Sequence, residues 1–206
     1  MSRKNQPIDR WYFSGDEAMH NTGAASAATD QSASYPGIFG GEGVVRLTLT
    51  SVGTGHGYKA SPQPYGPDAP NLIYIDGTDN YDGLRRIVAV ATDTIDIVAP
   101  FTAETLSTGD TFRPGFKFDH AVEFVGFELH LNTACATAED LEIHKDADRG
   151  AGWDIQIYDK PMNTIKDLTL LFEEPVVVDP NDVVYFTWNN ADDRLWGLVV
   201  YTKRLV

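Results

Sequence analysis

The chain has 206 residues and a single cysteine, Cys135. One thiol closes no intramolecular disulfide, so a disulfide-stapled scaffold is excluded and folding in a reducing cytosol is expected. The neighbours of Cys135 are small or apolar, which suits a half-buried structural thiol better than a nucleophile. Basic residues are also scarce. Sixteen Lys and Arg stand against thirty Asp and Glu, a net charge of −14. Phosphate binding needs clustered cations, so neither nucleic acid nor an anionic membrane is an expected partner. The plain reading of the acidity is solubility.

Long apolar runs are missing as well. Nowhere do about eighteen apolar residues follow one another, and no transmembrane helix is expected. The first residues, MSRKNQPIDR, are basic but lead into no apolar core, so no secretory signal is expected. No G-x-S-x-G, phosphate-loop or H-E-x-x-H pattern occurs. No helix of ordinary length is expected either, because helical periodicity is absent throughout.

What the sequence does have is alternation. VVRLTLT (Val44 to Thr50) sets Val45, Leu47 and Leu49 against Arg46, Thr48 and Thr50, the period-two pattern of a strand with one wet face. A proline-rich loop follows, from Gly53 to Asn71. LIYI (Leu72 to Ile75), RIVAV (Arg86 to Val90) and TIDIV (Thr94 to Val98) read as further strands. Asn80 to Gly83 reads as a tight turn and Ala91 to Asp93 as a link. Residues 41–115 thus predict a small antiparallel β-barrel.

From Phe116 onward the pattern repeats. Phe127, Leu129 and Leu131 oppose Glu128 and His130; Leu141 and Ile143 form a second inward row, and Trp153, Ile155 and Ile157 a third. Seven or eight short strands separated by turns predict an antiparallel, jelly-roll-like β-sandwich over 116–206. This part holds 8 basic and 17 acidic residues, −9 of the −14. Residues 1–40 carry Trp11, Tyr12 and Phe13 followed by an Ala, Ser, Gly and Thr stretch without a period. They are expected to form an extended N-terminal arm, lying against its own body or a neighbouring subunit. The fold class is therefore all-β: arm, barrel and sandwich.

Several elements of the barrel segment resemble a module of tailed-bacteriophage virion proteins. They are Leu47 to Ser51, His56-Gly57, Ile73 to Gly77, Asn80 to Gly83, Leu84 to Val98 and Thr108-Gly109. The same barrel is similar to the first catalytic-cysteine half-domain of ubiquitin-activating enzymes, where it is a structural insert. The likeness covers about a third of the chain and departs from the pattern in the long loop after His56. GAGWDIQIYD and the closing strand Trp196 to Tyr201 are similar to the β-sandwich ends of phage structural proteins. The resemblance implies a non-enzymatic structural protein of the virion, of the capsid decoration or cement type, synthesised in the host cytoplasm and placed on the capsid surface. Its implied partners are the major capsid protein and copies of itself, and association into a homotrimer or a similar closed ring is expected. Trp11, Tyr12 and Phe13 would be the arm's anchor, since aromatics are enriched at interface hot spots. The alternative it implies is a tail, fibre or baseplate protein contacting host glycans through the sandwich.

Other chemistry has few candidates. Asp146, Asp148 and Asp154 surround a glycine-containing loop, where solvated turn acids normally sit; a glycosidase pair or a calcium site there is the less favoured reading. His130 and His144 lie on polar faces of strands that would face each other across a sheet, without a third ligand that points to zinc. His56 belongs to a His-Gly turn and suits a structural hydrogen bond. Trp153 and Trp188 fall among apolar alternations and are expected in the core, while Trp196 suits either side. No catalytic residue, metal or cofactor is expected.

Overall fold

A computed structural model describes residues 7–36, 42–50, 56–60 and 70–205. The module position Ser51 and most of the proline-rich loop, 51–55 and 61–69, lie outside the described residues. The chain is all-β. Among the described residues the only helical pieces are 3₁₀ turns at Ser32–Ser34 and Ala151–Trp153.

Seven short strands build the barrel: β2 (Asn21–Gly23), β3 (Thr29–Asp30), β4 (Val44–Thr50), β5 (Asn71–Asp76), β6 (Gly83–Val90), β7 (Thr94–Val98) and β8 (Thr111–Arg113). Their order is β2-β8-β5-β6-β7-β4, and β4 pairs back with β2 to close six strands; β3 lies on β4 beside β2. Closure removes the sheet edges that would otherwise invite pairing. Val45, Leu47, Leu49, Ile73, Ile75, Ile95 and Ile97 are buried, as the alternation predicts. Arg46 stands opposite Asp96 and donates through Nε and one terminal nitrogen to both carboxylate oxygens, at 2.7 and 2.9 Å. Asn80 to Gly83 does not form a two-residue hairpin. Ile75 pairs with Gly83, so the whole of 77–82 is loop, and it is plugged by the buried ring of Tyr81. The positive φ of 104° falls on Gly83, at the strand's first residue.

The other eight strands are β1 (Asp9–Gly15), β9 (Gly115–Lys117), β10 (Val122–Leu131), β11 (Asp140–Asp146), β12 (Ile155–Pro161), β13 (Asp167–Val178), β14 (Val183–Thr187) and β15 (Trp196–Arg204). They form two four-stranded sheets, β1-β15-β10-β13 and β9-β14-β11-β12. Counted along the chain, these are strands 1-8-3-6 over 2-7-4-5, which is the jelly-roll order. Between the sheets pack Phe116, Phe124, Phe127, Phe186, Leu129, Leu141 and Ile143, with aromatic rings meeting edge to face at 5.5 to 6.2 Å.

The N-terminal segment therefore differs from the expected arm. Asp9–Gly15 is the first strand of the jelly roll, paired along its length with β15, and β2 and β3 belong to the barrel. The barrel is inserted between the first two jelly-roll strands, so the sandwich is assembled from both ends of the chain. The physical reason is burial: Phe13 is 1% exposed, and its place in the core outweighs the weak propensities around it.

Candidate interaction surfaces

The barrel sits against one side of the sandwich, where β5 and β6 meet β1 and β9. Backbone bonds tie the two together. The Asp16 amide donates to the Gly57 carbonyl and the Met19 amide to the Trp188 carbonyl, both at 2.9 Å. Arg113, at the end of the barrel, stacks 3.6 Å over the Tyr185 ring of β14 and reaches Asp76 at 3.5 Å. The Trp196 indole N–H donates to the Glu17 carbonyl at 2.8 Å.

The expected anchor residues divide on this framework. Phe13 is enclosed in the chain's own core and cannot serve a partner while β1 is paired. Tyr12 and Trp11 are half-buried. The Trp11 indole N–H donates to the Thr202 hydroxyl at 2.9 Å and its ring packs on Phe118 at 5.3 Å. Trp11 also lines an open groove of about 550 Å³ between β1 and the barrel, with Leu72, Leu84, Arg85, Arg86 and Pro100. Arg85 donates to the Tyr81 and Asp82 carbonyls at 3.1 and 2.8 Å, which fixes it against the loop. The groove brings two guanidinium groups together with the Glu42 carboxylate beside the Trp11 ring. Nothing in the sequence pattern joined Trp11 to Arg85 and Arg86, because the groove is made where the inserted barrel meets β1.

On the opposite side, among the described residues, β12 and β13 are the last strands of their sheets, and each pairs on one flank only. This side is poorly covered. Trp153 is 63% exposed, Leu171 59% and Ile155 49%. The expected inward row Trp153, Ile155 and Ile157 is thus corrected. Trp153 belongs to the 3₁₀ turn before the strand, and an edge strand has too little interior to hold all three. Trp188 and Trp196 are buried.

Asp146 and Asp154 stand close enough for their carboxyls to interact, and Asp154 also accepts the Ala147 amide at 2.9 Å. Partial burial, then the charges of Asp154 and Asp76, raise the Asp146 carboxyl above its ordinary value against the pull of Arg113. The Asp148 amide donates to Asp182 at 3.0 Å. Among the described residues no group of three or more His, Cys, Asp or Glu converges to hold a metal ion.

The histidines are dispersed. His130 lies in one sheet, on β10, in contact with Asp167; His144 lies in the other, on β11, 2.9 Å from Glu142 and stacked on Tyr185. They do not face each other across a sheet. His56 is buried and does make structural hydrogen bonds: Nδ1 accepts the Tyr58 amide and Nε2 meets the Thr94 carbonyl, both at 3.0 Å. Cys135 is buried, and desolvation raises its thiol, which makes it inert.

No protein-family model matches the chain, and no curated protein matches it. Among solved structures it is similar to VP17, a capsid protein of bacteriophage P23-77, at 6% identity and a TM-score of 0.20, over 100% of this chain and 91% of that one. It is also similar to a chain of the VP16–VP17 complex, formed by the two major capsid proteins of the same phage, at 9% identity and a TM-score of 0.21, over 100% and 94%. At such scores the backbones do not superpose as one fold, and neither likeness says what this chain does.

Proposed function

We propose that this chain is a non-enzymatic structural protein of a tailed-phage virion. It acts as a decoration or cement protein, binding the major capsid protein and neighbouring copies of itself at the capsid surface. The reading rests on the barrel's sequence resemblance and on one observation above all. The chain has two uncovered features on opposite sides, the groove lined by Trp11, Arg85 and Arg86 and the apolar surface at β12 and β13. A protein that bridges subunits needs two such surfaces. The test is co-sedimentation with capsids stripped of accessory proteins. The unaltered protein saturates them, and Arg86→Glu at the groove weakens binding while the far-ultraviolet circular dichroism spectrum keeps its folded form. Absence of binding by the unaltered protein removes the capsid assignment.

A second reading is favoured by a single residue. Exposed Trp153 stands at the tip between β11 and β12, where a sugar platform is expected in a tail, fibre or baseplate protein. Retention on host polysaccharide that is lost in Trp153→Ala supports this reading over the first.

A further inference from the structure

Arg85 is treated unlike the other sheltered arginines of this chain. Arg46 is paired with Asp96 at 2.7 Å, Arg113 with Asp76 at 3.5 Å and Arg194 with Asp192 at 3.9 Å. Arg85 is half-buried, as Arg46 and Arg194 are, yet among the described residues no carboxylate stands within ion-pair distance of it. Its partners are the Tyr81 and Asp82 carbonyls, which take Nε and one terminal nitrogen and fix the guanidinium without neutralising it. The Asp82 carboxylate is engaged elsewhere, by the amide and hydroxyl of Thr78 at 2.8 Å. Withdrawing a cation from water without an opposite charge costs free energy. In a chain with thirty acids and sixteen bases, the missing counter-charge is not for want of carboxylates.

The groove around this guanidinium is largely apolar. Trp11, Leu72 and Leu84 line it and are partly buried against the core. Pro100 lines it as an exposed residue, and Phe101, next in the chain, is 42% exposed. Glu42 lines it too but forms no ion pair with Arg85.

We infer that the groove seats an extended segment of a partner protein, apolar except for a carboxylate that pairs with Arg85. Charge complementarity selects the carboxylate: the guanidinium is held in place, and its remaining N–H groups suit a planar two-oxygen acceptor. The apolar lining selects the neighbours of that carboxylate. Small-molecule pockets enclose most of their ligand, whereas this groove is open; a segment borne by a folded partner gains further contacts outside it. A net charge of −14 repels a nucleic acid or a run of acids, so a lone carboxylate among apolar residues gains Arg85 with the least repulsion. The inference rests on the groove's role as a contact surface in the proposed function, and it states the chemistry of what binds there.

The test uses the full chain, labelled with ¹⁵N, and three pools of blocked heptapeptides. Their central residue is Glu, Gln or Lys, and their flanks are randomised over Ala, Leu, Val and Pro. The Glu pool is expected to shift the Trp11 indole signal and the Leu72, Leu84 and Arg85 amide signals. It binds about tenfold more tightly than the Gln pool, and the Lys pool leaves the signals in place. Arg85→Gln removes the preference for Glu over Gln. Because Arg85 also holds the 77–82 loop, a second variant leaves it untouched. Pro100→Glu adds a carboxylate of the chain's own at an exposed groove position, and it is expected to weaken binding of the Glu pool while the far-ultraviolet circular dichroism spectrum keeps its folded form. Equal binding of the Glu and Gln pools overturns the inference, as does a Glu pool that leaves these signals unmoved. Shifts reproduced by sodium acetate alone assign Arg85 to free carboxylates and also overturn it. Binding of stripped capsids by a protein that ignores the Glu pool sinks this inference and leaves the capsid reading standing. Binding of the Glu pool by a protein that ignores capsids does the reverse.

Discussion

Gly15 and Trp196 are opposed partners across the first and last strands of the jelly roll, and the indole occupies the space that a side chain at residue 15 would need. A Cβ at Gly15 would lie 2.6 Å from the Trp196 ring and 3.0 Å from the Gly57 carbonyl. The ring cannot withdraw, since it is fully buried and its N–H is held by Glu17. Gly15→Ala is therefore an overpacking change costing about 1 to 3 kcal/mol, or about 2 to 12 °C in Tm for a chain of this length. Trp196→Phe in the same chain recovers part of that loss. A double-mutant cycle by thermal denaturation measures the coupling, and additive effects would contradict the contact.

Removing residues 1–30 deletes β1, β2 and β3. The deletion exposes Phe13's partners in the core and reopens the barrel between β8 and β4. The shortened chain is expected to lose cooperative unfolding and to aggregate, because a second sheet edge is laid bare beside β15. Removing residues 1–8 ends before β1 and preserves the melt. Far-ultraviolet circular dichroism and size-exclusion chromatography of the two truncations distinguish a structural strand from a dispensable arm.

His56 makes stability depend on pH. Its Nδ1 accepts an amide and Nε2 bonds a carbonyl, so the ring is neutral with its proton on Nε2, and burial lowers its affinity for a second proton. His20 is lowered too, by burial and then by Arg113. Below the ordinary value of about 6.5, the unfolded chain binds protons that the folded chain refuses, so stability falls as pH drops through that window and is fully present above it. His56→Gln lowers stability at neutral pH but flattens the slope between about pH 7 and 5. Urea midpoints for both proteins across that range are the check; parallel slopes would assign the dependence elsewhere.

The strand faces were legible where alternation is strict. Val45, Leu47 and Leu49, or Phe127, Leu129 and Leu131, carry their burial in the two-residue period itself. The jelly-roll role of Asp9–Gly15 was not legible. Its partner β15 is nearly the whole chain away, and DRWYFSG shows too short an alternation to reveal which face is inward. β2 and β3, at three and two residues, are too short to show any period. Ile155 alternates like a core residue because an edge strand shares the pattern without sharing the interior, and Trp153 continues the spacing although it lies in the turn before the strand. The groove at Trp11 was hidden for a different reason. It is formed by two units that the insertion brings together, and no local spacing encodes that meeting.

Asp146 carries a charge in a poor place. Its carboxyl is raised by partial burial and by the neighbouring Asp154 and Asp76, so ionising it costs more in the folded chain than in the unfolded one. A group raised on folding adds stability below its unfolded value and loses it as pH rises through the folded value. At neutral pH the ionised Asp146 is thus a burden on the fold. Asp146→Asn keeps the shape and the contact with Asp154 while removing the repulsion, and is expected to raise Tm slightly at pH 7. The side chain is largely exposed and only slightly desolvated, so the gain is small and shrinks in high salt. It also vanishes below about pH 4, where the aspartate is protonated in both states. Scanning calorimetry of the two proteins at pH 7 and at acid pH tests the sign. A destabilising Asn at neutral pH would mean that the ionised carboxylate is held by Arg113 more strongly than it is repelled, and the electrostatic order of this loop would have to be reversed.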